Sequence, residues 1–158
     1  MLAAIRPDSW NFPLLLHVLG ASLLLGAVIA ALTAQVLAWK RSAPADVVPL
    51  ARLSFRTLLF VAIPAWFLMR IAAEWIASRE GWDDVDDPPS WVDIGYLVGD
   101  TSGLVLLISV ILSGIGARRL TASSGERGGT LVRVATVLSL LLVIAFVLAT
   151  WAMSAKPD

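Results

Sequence analysis

The stretch "HVLGASLLLGAVIAALTAQVLAWKR", residues 17–41, decides the fold. From Val18 to Trp39 it carries no charge, and it ends on the basic pair Lys40–Arg41. A bilayer core of roughly 30 Å is crossed by about 20 helical residues, and this run, entered from Phe12, exceeds that length. Three further stretches have the same character, so the predicted spans are about 12–39, 58–77, 94–117 and 131–153. The composition agrees: 58% of the 158 residues are hydrophobic and 15% charged, too few charges to clothe a soluble domain. The expected fold class is all-α, a polytopic membrane protein with a single transmembrane domain over residues 1–158, built as an antiparallel four-transmembrane-helix bundle. A cleavable signal peptide is the competing reading of the first run. Such a peptide has a shorter apolar stretch and a more basic start than Arg6 alone provides.

The zero formal net charge hides a strong asymmetry. The connection 40–57 carries Lys40, Arg41, Arg52 and Arg56 against Asp46 alone. The connection 118–130, with Arg133 just beyond it, sets Arg118, Arg119, Arg127 and Arg133 against Glu126 alone. The connection 78–93 is acidic: "SREGWDDVDDPPSW" sets Arg79 against Glu80, Asp83, Asp84, Asp86 and Asp87. Short basic loops stay in the cytoplasm, so both termini and the acidic loop are expected outside, in a bacterial plasma membrane. Trp10, Trp75, Trp82, Trp91 and Trp151 then fall at the outer headgroup level and Trp39 at the inner one, where an apolar ring and a polar N–H are both satisfied.

The two halves can be laid over one another. His17 aligns with Tyr96, Gly20 with Gly99, and Lys40–Arg41 with Arg118–Arg119 after one gap. This admits a 2+2 helix-hairpin duplication, with any two-fold axis along the membrane normal. Apolar helices ending in basic residues also resemble one another by default. Small residues mark helix contacts in lipid, where close packing and interhelical hydrogen bonds drive association. Gly95, Gly99 and Gly103 form such a face on the third span, and Gly26, Ala30 and Ala34 on the first, with Gly20 one turn and a half earlier. These faces are expected to meet inside the bundle or to form a homodimer contact. Pro64 removes a backbone donor from the second span and predicts a bend there.

Asp100 lies about six residues into the third span, roughly 9 Å along the helix axis. Arg70 and Glu74 sit at similar depth in the second span and share a helix face at four-residue spacing. His17 is about as deep in the first. Thr101, Ser102, Thr150 and Ser154 lie near the same level. Ionisable groups at such depth normally face the bundle interior or a wet cavity and pair with one another. His17, Arg70, Glu74 and Asp100 are therefore the candidate buried polar cluster. It reads as a structural clamp, as a proton, ion or ligand site, or as unrelated side chains reaching toward the headgroups.

Several chemistries are excluded. No cysteine is present for disulfides, thiolate metal sites or a Cys nucleophile. A bis-histidine haem needs two histidines, and only His17 exists. The Glu-x-x-His pattern of dinuclear carboxylate sites is missing, as are phosphate-cradling, nucleophile-elbow and zinc-helix motifs. "DDVDDPP" lacks the alternating ligands and central glycine of a calcium loop. The basic loops suit anionic lipid rather than nucleic acid.

The residues "LHVLGASLLLGAVI", 16–29, resemble the opening helix of small bacterial integral membrane proteins of the copper-resistance-D-like type, in which Leu-His followed by spaced glycines is common. The resemblance covers mainly this helix and the four-span length. It implies a multi-helix inner-membrane protein, sometimes linked to copper or haem handling, with His17 the one residue carried over as a ligand.

Three functional readings follow. The first is a non-enzymatic accessory or scaffold protein, partnered by lipid and by its own copies or another membrane subunit. The second is an oligomeric proton, ion or small-solute transporter or channel using the polar cluster. The third is a haem- or quinone-associated redox protein. No metal and no particular cofactor is strongly implied.

Overall fold

The apolar runs form helices longer than the bilayer alone requires. The computed structural model describes residues 11–41, 43–81, 89–122 and 125–156, and every regular element among them is helical. Helix α1 is Asn11–Lys40 and α2 is Pro44–Thr57, followed by a π-helical turn at Leu58–Ala62 and α3 at Ile63–Glu80. Helix α4 is Ser90–Thr121 and α5 is Gly125–Ala155. Since α2, the π turn and α3 run on without a break, four helices among the described residues are long and apolar enough to cross a membrane. They are Asn11–Lys40, Ala45–Glu80, Ser90–Thr121 and Gly129–Ala155. The molecule is an all-α four-helix bundle of the polytopic membrane type.

Segment 40–57 departs from its expected loop character. Its larger part is α2, which continues the second span outward from the apolar run. Pro44 opens this helix, where a missing N–H costs nothing, and Asp46 sits in the first turn, where the helix dipole favours a carboxylate. A search for unbroken apolar runs finds the part of a helix that crosses lipid and stops at its first charges. Ala51 is buried with Ala117 and Val132 in a small cluster at this basic end.

Helix α1 packs on α2, α3 and α5, while α4 packs on α5, on α2 and more lightly on α3. The spans thus stand in a ring in chain order, with α1 and α4 across its diagonal. The main core joins Leu24, Val28, Leu58, Leu106, Leu142 and Phe146. Most other buried apolar positions are alanines, whereas Phe60, Ile71, Leu97, Leu104 and Leu148 are exposed. Large apolar side chains outside and small ones inside would be untenable in water. The arrangement suits lipid, where helices associate by close approach.

Pro64 sits just past the π turn, where the Ile63 N–H bonds the Leu58 carbonyl five residues back. The wider turn accommodates a ring that would otherwise crowd the carbonyl four residues earlier. Leu58 and Ala62 are buried there, so the turn belongs to the core. At the far end of α3, Gly81 adopts φ 76°, the left-handed conformation that glycine supplies without strain, and its N–H caps the Ala77 carbonyl.

The small-residue faces do not meet as expected. Gly26 and Ala30 are exposed, and a side chain at Gly26 would touch nothing; Ala34 alone of the three is buried. Gly95, Gly99 and Gly103 do face neighbours, but these are Met153 of α5 and Arg70 and Trp66 of α3. The close approach of α1 is made by Gly20, where an added Cβ would stand 2.6 Å from the Met69 backbone nitrogen. Gly20 and Gly99, equivalent in the alignment of the halves, therefore have different surroundings. One meets backbone in the next span and the other a side chain in the preceding span, so these positions carry no two-fold relation.

Tryptophans near the helix ends make ring contacts at both ends of the bundle. Trp75 makes an edge contact with Phe12 at 6.1 Å, and Lys156 lies 4.8 Å from the Trp91 ring centroid. At the basic end Arg133 lies 5.5 Å from the Trp39 ring centroid. Trp10, Trp82 and the acidic stretch 83–88 lie outside the described residues.

Candidate functional site

Helix α3 presents Trp66, Arg70 and Glu74 at four-residue spacing, one stripe on one face. Helix α4 presents Tyr96, Gly99, Asp100 and Gly103 opposite them. The glycines let the two faces close: the Trp66 ring occupies the space beside Gly103, and the Arg70 stem lies against Gly99. Trp66 Nε1 donates to the Gly99 carbonyl at 2.9 Å, satisfying the indole N–H inside an apolar contact.

Arg70 is the hub. Its Nε donates to Asp100 Oδ1 at 2.9 Å, its Nη1 pairs with Glu74 Oε1, and its guanidinium carbon lies 5.0 Å from the Tyr96 ring centroid. One cation held between two carboxylates, with a ring face beneath it, is a charge-assisted arrangement typical of guanidinium. Three of the four expected residues are therefore together.

Two features differ from the expectation. The triad sits on the flank of the bundle rather than within it: the Arg70 side chain is 20% exposed, Glu74 49% and Asp100 61%. At this level α1 closes directly on α3 through Gly20 and Met69, and the long arginine side chain lies along the α3–α4 groove and meets its partners at the surface. The neighbouring α4 positions Leu97 and Leu104 are 65% and 63% exposed. Asp100 thus stands between two exposed leucines, with exposed Thr101 beside it. His17 is the other departure. Its Nδ1 donates to the Met69 carbonyl at 3.1 Å, pinning α1 to α3 beside Gly20 without joining the triad. The expected hydroxyls stay local as well. Thr101, Ser102, Thr150 and Ser154 donate to the carbonyls of Leu97, Gly99, Phe146 and Thr150 of their own helices.

Among the described residues the donor set does not fit a resident copper or haem. His17 is the chain's only histidine, one of its ring nitrogens is engaged, and the described residues contain no group of three His, Cys, Asp or Glu able to hold a metal. A soft metal or haem iron needs a second strong ligand.

A second polar layer, unanticipated from sequence, lies nearer the basic end. Gln35 and Ser139 are fully buried, as are Ser109 and Ser113 on α4, with Thr136 close to it. Gln35 Nε2 donates to Ser113 Oγ at 3.2 Å across the bundle diagonal, while Gln35 Oε1 and Ser139 Oγ have no partner among the described residues. The signal was the serine spacing on α4, where 102, 109 and 113 recur on one helical face. An orphaned acceptor costs about 1–3 kcal/mol. Gln35→Met, which keeps the volume and removes it, is expected to leave the unfolding free energy within about 1 kcal/mol of the original or to raise it. A loss above about 2 kcal/mol in a detergent unfolding titration would mean that the amide is fully satisfied by groups or water around it.

Compared with protein-family models, with curated proteins and with solved structures, the chain has no match.

Proposed function

We propose that the protein is a non-enzymatic subunit or self-associating scaffold of a plasma-membrane assembly, with its basic end cytoplasmic, and that the Arg70–Glu74–Asp100 flank is its contact with a second polypeptide. One observation carries this reading. Two exposed carboxylates and the part-buried guanidinium between them lie on the flank of the bundle, with exposed Leu97 and Leu104 beside Asp100, within helices long enough to span lipid. Ionisable groups at that depth are costly against acyl chains and are stabilised by protein or water. A neighbouring chain that offers hydrogen-bond donors to Asp100 supplies that environment.

The same geometry favours this reading over a pathway through one protomer. The apolar core of Leu24, Val28, Leu58, Leu106 and Leu142 stands between the flank triad and the Gln35 layer, and the buried serines nearest it on α4, Ser102 and Ser109, donate to carbonyls of their own helix.

The chain lacks cysteine, so a single introduced thiol reports its own contacts. Leu97→Cys, beside Asp100, is expected to cross-link in native membranes to a second copy or to another membrane polypeptide identified by mass spectrometry. Leu23→Cys is exposed on α1, across the bundle diagonal, and is expected to remain monomeric. Equal cross-linking at both positions, or none at Leu97→Cys, would overturn the assignment of this flank.

A further inference from the structure

At the basic end, α2 and α4 border a cleft of about 410 Å³. Arg52, Arg56 and Arg118 line it together with Phe55, Gly114 and Thr121. Phe55 forms the floor: its ring lies so close to Gly114 that an added Cβ would stand 2.8 Å from it. Arg52 is held at the rim by Thr121, which accepts from Arg52 Nη2 at 3.3 Å and donates to the Ala117 carbonyl at 2.9 Å. None of the three arginines forms an ion pair with a carboxylate among the described residues.

Three arginines lining one open cavity, with no carboxylate paired to them among the described residues, suit an oxyanion with several acceptors. Guanidinium forks match phosphate oxygens in pairs. The surroundings choose between a soluble anion and a lipid. Ile111, Ile115 and Arg118 follow one another at four- and three-residue spacing on one stripe of α4, and both isoleucines are exposed. An apolar track thus leads from the membrane-spanning part of α4 to the guanidinium of Arg118. A headgroup seated in the cleft could lay its acyl chains along that track, whereas a free anion would leave the track unused.

We propose that the α2–α4 cleft is a binding site for the phosphodiester headgroup of an anionic membrane phospholipid. Arg52, Arg56 and Arg118 hold the phosphate, Thr121 and the Phe55 ring shape the floor, and the isoleucine track takes the acyl chains. Basic pockets between helices at the cytoplasmic face are suited to such headgroups. The site lies at the opposite end of the bundle from the Arg70 triad and stands or falls independently of it.

The test is native mass spectrometry of the full chain released from nanodiscs of equimolar phosphatidylglycerol and phosphatidylcholine. The original protein is expected to retain one phosphatidylglycerol with about tenfold preference over phosphatidylcholine. The triple variant Arg52→Gln, Arg56→Gln, Arg118→Gln is expected to lose that preference. The triple variant Lys40→Gln, Arg41→Gln, Arg119→Gln removes the same number of positive charges outside the cleft and is expected to keep it. Arg118→Lys, which leaves the charge but removes the fork, is expected to fall between and covers the case in which the triple variant does not fold. Equal loss in the two triple variants would show diffuse surface attraction and overturn the site. Displacement of the lipid by millimolar inorganic phosphate would overturn the lipid as its occupant, and so would equal retention of the two lipids.

Discussion

Gly20→Leu is expected to destabilise the bundle by at least about 3 kcal/mol, at the upper end of what overpacking costs. At most tight positions in a protein the obstruction is a side-chain tip that can rotate away. Here it is the backbone of α3. A Cβ on residue 20 would lie 2.6 Å from the Met69 nitrogen and 2.9 Å from its Cα, so α1 and α3 must separate. Separation also stretches the hydrogen bond from His17 Nδ1 to the Met69 carbonyl, now 3.1 Å and one turn away along α1. The control lies in the same helix. Gly26 has open space around it, so Gly26→Ala is expected to stabilise by up to about 1 kcal/mol through helix propensity alone, while Gly20→Ala destabilises. Unfolding titrations in mixed micelles read the sign of each change. If Gly20→Ala and Gly26→Ala shifted stability in the same direction, the close crossing of α1 and α3 would be wrong.

Arg70→Leu is expected to cost about 2–3 kcal/mol through its lost charged hydrogen bonds, more than Glu74→Gln or Asp100→Asn taken singly. The asymmetry follows from the arrangement. Arg70 serves two carboxylates and also lays its stem on Gly99 and its head over Tyr96. Removing it leaves Glu74 and Asp100 both uncompensated on a flank that faces lipid or a neighbouring chain. Removing either carboxylate leaves the guanidinium with the other. The same titrations, run at low and high salt, check the ranking. A ranking in which Glu74→Gln costs most would indicate that Arg70 finds its main partner elsewhere.

Much of this architecture is legible in the amino-acid order, and the reason is the solvent. Lipid demands uninterrupted apolar runs and penalises every charge, so the four spans and the depth of Arg70, Glu74 and Asp100 stand out in the sequence. The four-residue spacing of Arg70 and Glu74 is enough to place them on one helix face. The facing of each helix is not legible, for the same reason. In water a helix advertises its buried side by an apolar stripe; in lipid both sides are apolar. Gly26 and Gly20 look alike in the sequence, yet one faces outward and the other carries the tightest contact of α1. Trp66 reads as one more apolar residue until Gly99 and Gly103 are seen beside it. The basic charges of α2 hide a helix that packs Ala51 against Ala117 and Val132. The flank position of the triad is equally hidden, because the expectation that charges turn inward assumes an interior with room, and here α1 closes on α3 through Gly20 and Met69.

Arg70 and Asp100 join the second and third spans at the surface of a membrane-embedded bundle, and the functional reading depends on that link. A double-mutant cycle with Arg70→Leu, Asp100→Asn and the pair together, in lipid nanodiscs or mixed micelles, measures it alone. The expected result is a coupling of at least about 1 kcal/mol, with Asp100→Asn recovering part of the stability lost in Arg70→Leu. Additive effects within about 0.3 kcal/mol would contradict it.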